Sequence, residues 1–152
     1  MARMTVVGLG SMGMGMAQSL VRAGHAVSGF DVAPGRAEAL VAGGGVAATL
    51  AEAAAQSAVA VIVVLNAAQT ETVLYGPEGI APLMPKGGVI VSCATVSPEF
   101  ARDMATRAEA LGLMYLDAPI SGGAARAASG ELSIMASGSE AAFAAAKPAL
   151  DA

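Results

Sequence analysis

The sequence predicts an α/β fold: a doubly wound, mainly parallel sheet with helices on both faces. Three observations carry that reading. Short apolar runs alternate with alanine-rich helical stretches along the whole of the 152-residue chain. Within the runs the apolar residues are consecutive rather than alternating, as in strands covered on both faces. Glycine, proline or polar residues stand at the joints, where right-handed crossovers need their turns.

The elements follow in order. Met4-Thr5-Val6-Val7 reads as a strand ended by Gly8, and residues 12–23 read as a helix stopped by Gly24. A second strand is expected over Ala26–Phe30, with helices over residues 35–42 and 50–55. The Val-rich run at residues 59–65 is the third strand, and a short helix over 70–75 comes after it. The fourth strand is placed at 88–92. Ser97 then caps a helix over 98–111 that carries Pro98 in its first turn and ends at Gly112. A fifth strand at 113–117, a last strand at 132–136 and a helix from about 140 to 150 complete the chain. No repeat, charge block or Ser/Pro-rich linker divides it, so residues 1–152 form one domain.

Composition excludes several functions. Eight basic and twelve acidic residues give a net charge of −4, against a nucleic-acid surface. Aromatic residues are 3% with no Trp, against base-stacking platforms. One cysteine allows neither an intramolecular disulfide nor a Cys-based zinc site, and no metal is expected. Although 55% of residues are hydrophobic, the apolar run at 58–65 is too short to cross a bilayer. Arg3 and the small apolar residues behind it imitate a secretory signal, but Gly8, Gly10, Gly13 and Gly15 break that stretch. A cytoplasmic protein that binds neither membrane nor nucleic acid is expected.

The first strand runs into Gly8-Leu9-Gly10-Ser11-Met12-Gly13, a G-x-G-x-x-G turn that opens a helix. Gly8 permits the tight turn, Gly10 lets backbone approach a pyrophosphate, and Gly13 lets helix and strand pack closely. The helix start offers free N–H groups to phosphate. Asp31 ends the second strand eighteen residues after Gly13, where a carboxylate accepts hydrogen bonds from the ribose hydroxyls of NAD and repels the 2′-phosphate of NADP. The fold is therefore Rossmann-type and the cofactor NAD, with NADP disfavoured except for the opening that Arg36 leaves. Ligands in such sheets lie beyond the carboxyl ends of the strands. Polar groups follow there: Leu65-Asn66-Ala67-Ala68-Gln69-Thr70, then Ser92-Cys93-Ala94-Thr95-Val96-Ser97-Pro98, then Asp117-Ala118-Pro119-Ile120-Ser121-Gly122-Gly123.

Together these segments resemble the 3-hydroxyisobutyrate dehydrogenase family of β-hydroxyacid dehydrogenases over essentially the whole chain. The likeness rests on the glycine turn, Gly24-His25 with Asp31, Thr95-Val96-Ser97-Pro98, and the run from Asp117 to Gly123. Asn66-Ala67-Ala68-Gln69-Thr70-Glu71 and Cys93-Ala94-Thr95-Val96 are most similar to the L-threonate dehydrogenase branch. Two departures point the same way: Val64-Leu65 stands where many members have Leu-Pro, and Ser92-Cys93-Ala94-Thr95 where many have Asp-x-Ser-Thr.

The resemblance implies NAD-dependent oxidation of a small hydroxy acid, L-threonate to its 2-oxo acid. Reduction of tartronate semialdehyde, oxidation of 3-hydroxyisobutyrate and a non-catalytic dinucleotide-binding module are the alternatives. It implies that Gly8, Leu9, Gly10, Ser11, Met12, Gly13 and Asp31 hold the cofactor, with Leu65, Asn66 and Thr95 around the nicotinamide ribose. Ser121, Gly122 and Gly123 take the substrate carboxylate, as a hydroxyl beside unhindered backbone N–H groups would.

The family's proton-accepting lysine is expected beyond Ala152, together with a helical C-terminal domain, the end of the cofactor domain and the contacts of a homo-oligomer. Lys86 and Lys147 match no part of the lysine motif, and Lys86 enters a strand at the wrong edge. His25 stands at a helix-to-strand turn away from the ligand edge, and Cys93 lacks a His–carboxylate pair to activate it.

Overall fold

A computed structural model describes residues 1–152. Five strands form a parallel sheet: β1 (Arg3–Val7), β2 (Ala26–Phe30), β3 (Val59–Ile62), β4 (Val89–Ser92) and β5 (Met114–Asp117), in the spatial order β2-β1-β3-β4-β5. The order reverses at β1, which pairs with β2 on one side and β3 on the other. That reversal opens a crevice at the carboxyl ends of β1 and β3.

Each strand buries both faces. On one face Met4, Val6, Val59, Val61, Val89 and Val91 pack with Leu20 of α1 (Ser11–Arg22), Leu40 of α2 (Arg36–Ala42) and Ala142 of α7 (Glu140–Leu150). On the other, Val7, Ala60, Ile62 and Ile90 meet Ala54 of α3 (Leu50–Gln56), Leu74 of α4 (Ala67–Tyr75) and Met104 of α5 (Pro98–Ala110). Full burial of one such Val, Leu or Ile contributes about 1.5–3 kcal/mol, which explains strands without a polar face. The expected doubly wound α/β architecture is present. No helix is long and apolar enough to cross a membrane.

Local chemistry sets the helix starts. Thr49 and Glu52 form a reciprocal capping box on α3, and Ser97 and Ser139 cap α5 and α7. The third strand is shorter than the valine run promised. Val63 N–H still donates to Val7 O at 2.8 Å, but Leu65 N–H turns to Gln69 Oε1 and Asn66 Oδ1 caps α4. Those side-chain bonds draw residues 64–66 out of the ladder and start α4 earlier than expected.

Two further features depart from the expected string. The last strand, β7 (Ser133–Ile134), runs antiparallel to β6 (Ile120–Ser121), with an added bridge between Asp117 and Ser137. Between them lies an unforeseen helix, α6 (Gly123–Ser129), which crosses α1 closely. A Cβ on Gly15 would lie 2.7 Å from Ala128 N, and Ser19 Oγ donates to Ala127 O at 2.8 Å.

Candidate functional site

A parallel sheet delivers the loops after β1, β3, β4 and β5 to one edge, and every proposed ligand residue lies there or at the end of β2. Val7 passes into Gly8 at φ +101°, where a side chain would stand 2.0 Å from Val63 O. A Cβ on Gly13 would stand 1.8 Å from Gly8 O, so this glycine lets α1 start directly behind the turn. Gly10 differs: its nearest neighbour would be Arg36 Nη1 at 3.9 Å, so protein atoms leave its outer side open. Gly8 and Gly13 are required by packing, and Gly10 keeps a space free.

Gly10 is also the N-cap of α1, which begins at Ser11, with the first helical bond from Met14 N–H to Gly10 O at 2.8 Å. The N–H groups of Ser11, Met12 and Gly13 precede that bond and have no partner within the helix. No acidic side chain of α1 itself occupies its first turn, so the helix neutralises none of its own partial positive charge there. Leu9 turns its side chain into the core and gives its N–H to Asp31 Oδ2 at 2.7 Å.

Asp31 thus does more than end β2. Its other oxygen accepts from Ala33 N–H at 2.8 Å, and Arg36 Nη1 approaches Oδ2 at 3.4 Å. Burial by itself raises this carboxyl's pKa. The N–H groups of Ala33 and Leu9 and the Arg36 charge outweigh burial and hold it below the usual carboxylate value. The group stays ionised, fixes the glycine turn and faces the crevice.

The crevice is a cleft of about 540 Å³, with Gly8, Gly10, Asp31, Arg36, Leu65 and Gln69 in its walls. Its size, open glycine and anchored carboxylate fit the pyrophosphate and adenosine ribose of a dinucleotide, and Ser11, Met12 and Gly13 follow Gly10 just outside the cleft walls. Leu65 is 85% exposed. Asn66 stands just outside the cleft, with its side chain turned to the start of α4. Thr95 is exposed in the loop after β4, on the same edge but outside the cleft walls.

Ser121, Gly122 and Gly123 are exposed where the chain passes from β6 to α6. Gly122 (φ +137°) and Gly123 (φ +77°) both adopt backbone that disfavours side chains. This turn shares the ligand edge with the glycine loop but not the cleft. Elsewhere, in the paired strands β4 and β5, lie Ser92 Oγ, Tyr115 OH and Asp117 Oδ1, three buried polar atoms without a hydrogen-bond partner. Burial pushes the Asp117 carboxyl up and the Tyr115 hydroxyl to about 12.

Reading the sequence missed this polar group, although Ser92 and Asp117 both stood in the quoted segments. It also missed Gln69, whose side chain holds Leu65 N–H at 2.8 Å. His25 and Lys147 stay apart from the site. His25 Nδ1 accepts from Ala2 N–H at 3.1 Å at the opposite edge, and Lys147 pairs with Asp151 at 2.8 Å. Cys93 is buried, and burial raises its thiol to about 12. No three His, Cys, Asp or Glu side chains converge as metal ligands would.

The family model described as the NAD binding domain of 6-phosphogluconate dehydrogenase matches residues 3–152. L-threonate dehydrogenase of Cupriavidus necator is 46% identical over 146 residues, covering 95% of this chain and 49% of that protein. 3-Hydroxyisobutyrate dehydrogenase of Pseudomonas aeruginosa is 38% identical over 152 residues, covering 99% and 51%. A crystal structure titled 3-hydroxyisobutyrate dehydrogenase, from Salmonella typhimurium, superposes with a TM-score of 0.94 at 47% identity, covering 98% of this chain and 52% of that one. The chain spans about half the length of the curated relatives it matches. It belongs to the family of NAD-binding domains named for 6-phosphogluconate dehydrogenase and, within it, to the 3-hydroxyisobutyrate dehydrogenase group.

Proposed function

We propose that this chain is the dinucleotide-binding part of an NAD-dependent hydroxyacid dehydrogenase whose substrate is a small hydroxy acid of the L-threonate kind. The observation that carries the reading is the contrast among the three glycines. Two are enforced by contacts below 2.1 Å, while Gly10 faces open space beside Asp31. A turn under packing pressure alone would not keep the third position clear.

In this reading the N–H groups of Ser11, Met12 and Gly13 hold the pyrophosphate. Asp31 keeps one acceptor direction on Oδ1 beside Ala33 and offers one on Oδ2 beside Leu9 once the long Arg36 contact gives way to a ribose hydroxyl. Leu65, Asn66 and Thr95 border the nicotinamide ribose. Ser121 with the Gly122 and Gly123 N–H groups takes the substrate carboxylate. Bound NAD supplies the hydride acceptor. The hydroxyl proton needs a base, and we assign none within residues 1–152: Lys86 lies at the far edge, and Lys147 is engaged by Asp151. We assign the base, the second domain and the oligomer contacts to the remainder of the whole protein, and place the enzyme in the cytoplasm.

L-threonate is preferred over 3-hydroxyisobutyrate and tartronate semialdehyde because of the Asn66–Glu71 and Cys93–Val96 segments and the names of the relatives. Two measurements test the proposal. Calorimetry on residues 1–152 is expected to show NAD binding without threonate-dependent NADH formation. Assay of the whole protein against all three acids is expected to show the highest kcat/KM for L-threonate. Absence of NAD binding refutes the cofactor reading, and NADH production by the 152-residue chain refutes the assignment of the base.

A further inference from the structure

One wall of the cleft is lightly anchored. Ala68, Gln69, Thr72 and Val73 of α4 make that wall. The helix has nine residues, and Leu74 is its one fully buried apolar side chain. Its other buried residue, Thr70, donates its hydroxyl to Asn66 O at 2.9 Å and so bonds within the helix start. The α4 backbone packs chiefly against the short 3-10 turn Ala81–Leu83. A helix this short, with so little buried surface, is not placed by core packing alone.

The neighbouring helix α5 is seated firmly: Ala101, Met104 and Ala108 are buried, and the helix lies against β5. Two side chains join α4 to it outside the cleft. Arg107 Nη1 donates to Glu71 Oε2 at 2.7 Å, and the Arg107 guanidinium carbon lies 4.2 Å from the centre of the Tyr75 ring. Tyr75 OH in turn donates to Met104 O at 2.8 Å. Asp103, one turn back on α5, stands 3.8 Å from the same Nη1 and helps to aim it. Glu71 and Tyr75 are four residues apart, on one face of α4, so one guanidinium grips both. Glu71, Tyr75 and Arg107 are all absent from the cleft walls. An ion pair exposed at 39% on Arg107 and 51% on Glu71 adds little to global stability. It suffices to set where a loosely packed helix rests, because the alternative positions differ by equally little.

We propose that Arg107 is a positioning residue for the cofactor: by gripping Glu71 and Tyr75 it holds α4 at the spacing the cleft needs, without touching the ligand. The inference rests on the dinucleotide reading above and adds what fixes the α4 wall.

The test titrates NAD by calorimetry into residues 1–152 as wild type, Arg107→Ala, Glu71→Ala and the double variant, at one salt concentration. Both side chains are exposed, so the variants are expected to fold as wild type does. Removing a cation and removing an anion change the field at the anionic pyrophosphate in opposite directions. An effect through charge alone therefore weakens NAD binding in Arg107→Ala and strengthens it in Glu71→Ala. The clamp predicts one sign: each single variant binds NAD about three- to fivefold more weakly, and the double variant no more weakly than the worse single one. Opposite signs overturn the inference in favour of a field effect. Unchanged affinity in either single variant, or losses that add in the double variant, also overturn it, and the dinucleotide reading stands in each of these cases. A wild type that does not bind NAD overturns the inference and the dinucleotide reading together.

Discussion

Replacing Gly13 and Gly10 separately by alanine is expected to divide packing from binding. On Gly13 the new Cβ would lie 1.8 Å from Gly8 O, where an ordinary carbon–oxygen contact exceeds 3 Å, so α1 or the turn must shift by more than an ångström. Overpacking of this kind costs about 1–3 kcal/mol or more, and alanine's better helix propensity returns about 1 kcal/mol. The net expected loss is about 0–2 kcal/mol in urea unfolding, toward the upper end because the clash is with backbone, together with weakened NAD binding. On Gly10 the Cβ meets nothing nearer than 3.9 Å, and the backbone at φ −65° and ψ −171° suits alanine. Restricting the unfolded chain gains about 0.4–1 kcal/mol and the poorer N-cap loses a similar amount, leaving stability nearly unchanged. Its methyl group occupies the space assigned to pyrophosphate, so NAD affinity is expected to fall about ten- to a hundredfold. Urea midpoints and calorimetry on the same samples decide the matter. If Gly10→Ala unfolds as readily as Gly13→Ala, or binds NAD like wild type, the separate roles assigned to these glycines are wrong.

Two other outcomes are expected. Asp31→Ala removes a charged acceptor from Leu9 and Ala33, a loss of about 2–3 kcal/mol near neutral pH. Because the folded carboxyl lies below its unfolded value, that contribution is complete above about pH 4 and is lost as pH falls through the folded value. The stability difference from wild type must therefore shrink in acid, and a difference constant from pH 7 to pH 3 would falsify the clamp. Cys93, with its thiol near 12, is expected to react with iodoacetamide at pH 8 about a thousandfold more slowly than a free cysteine. Mass spectrometry of native protein checks this, and stoichiometric labelling within minutes would contradict it.

The parts most legible in the sequence were those fixed by local chemistry. Consecutive valines announce two-sided burial, Ser97-Pro98 announces a helix start, and the glycine spacing with Asp31 announces the crevice. The misread parts depend on contacts distant in sequence or on side chains overriding a pattern. Val64 and Leu65 look like strand but leave the ladder because Gln69 and Asn66 bind the local backbone. Residues 123–129 look like loop because Gly122, Gly123 and Gly130 bracket them, yet they form a helix where Gly15 and Ser19 of α1 provide a flat surface. The small residues at Gly15 and Ser19, four apart, were the available signal. Ser92, Tyr115 and Asp117 come together only once β4 and β5 pair, which no local pattern reports.

The crossing of α1 and α6 bears on how accurately the two ends of the site are aligned. The glycine turn opens α1 and the Gly122–Gly123 turn opens α6, so both loops are mounted on helices that touch at Gly15, Ser19 and Ala127. Their separation is consequently a dimension of a rigid strut rather than the sum of two loop conformations. In the proposed reading, the alignment of cofactor and substrate between the two turns would be inherited from a helix contact on the far side of the phosphate turn. Widening that contact with a larger residue at Gly15 would misalign the two turns without altering any group that faces the ligand.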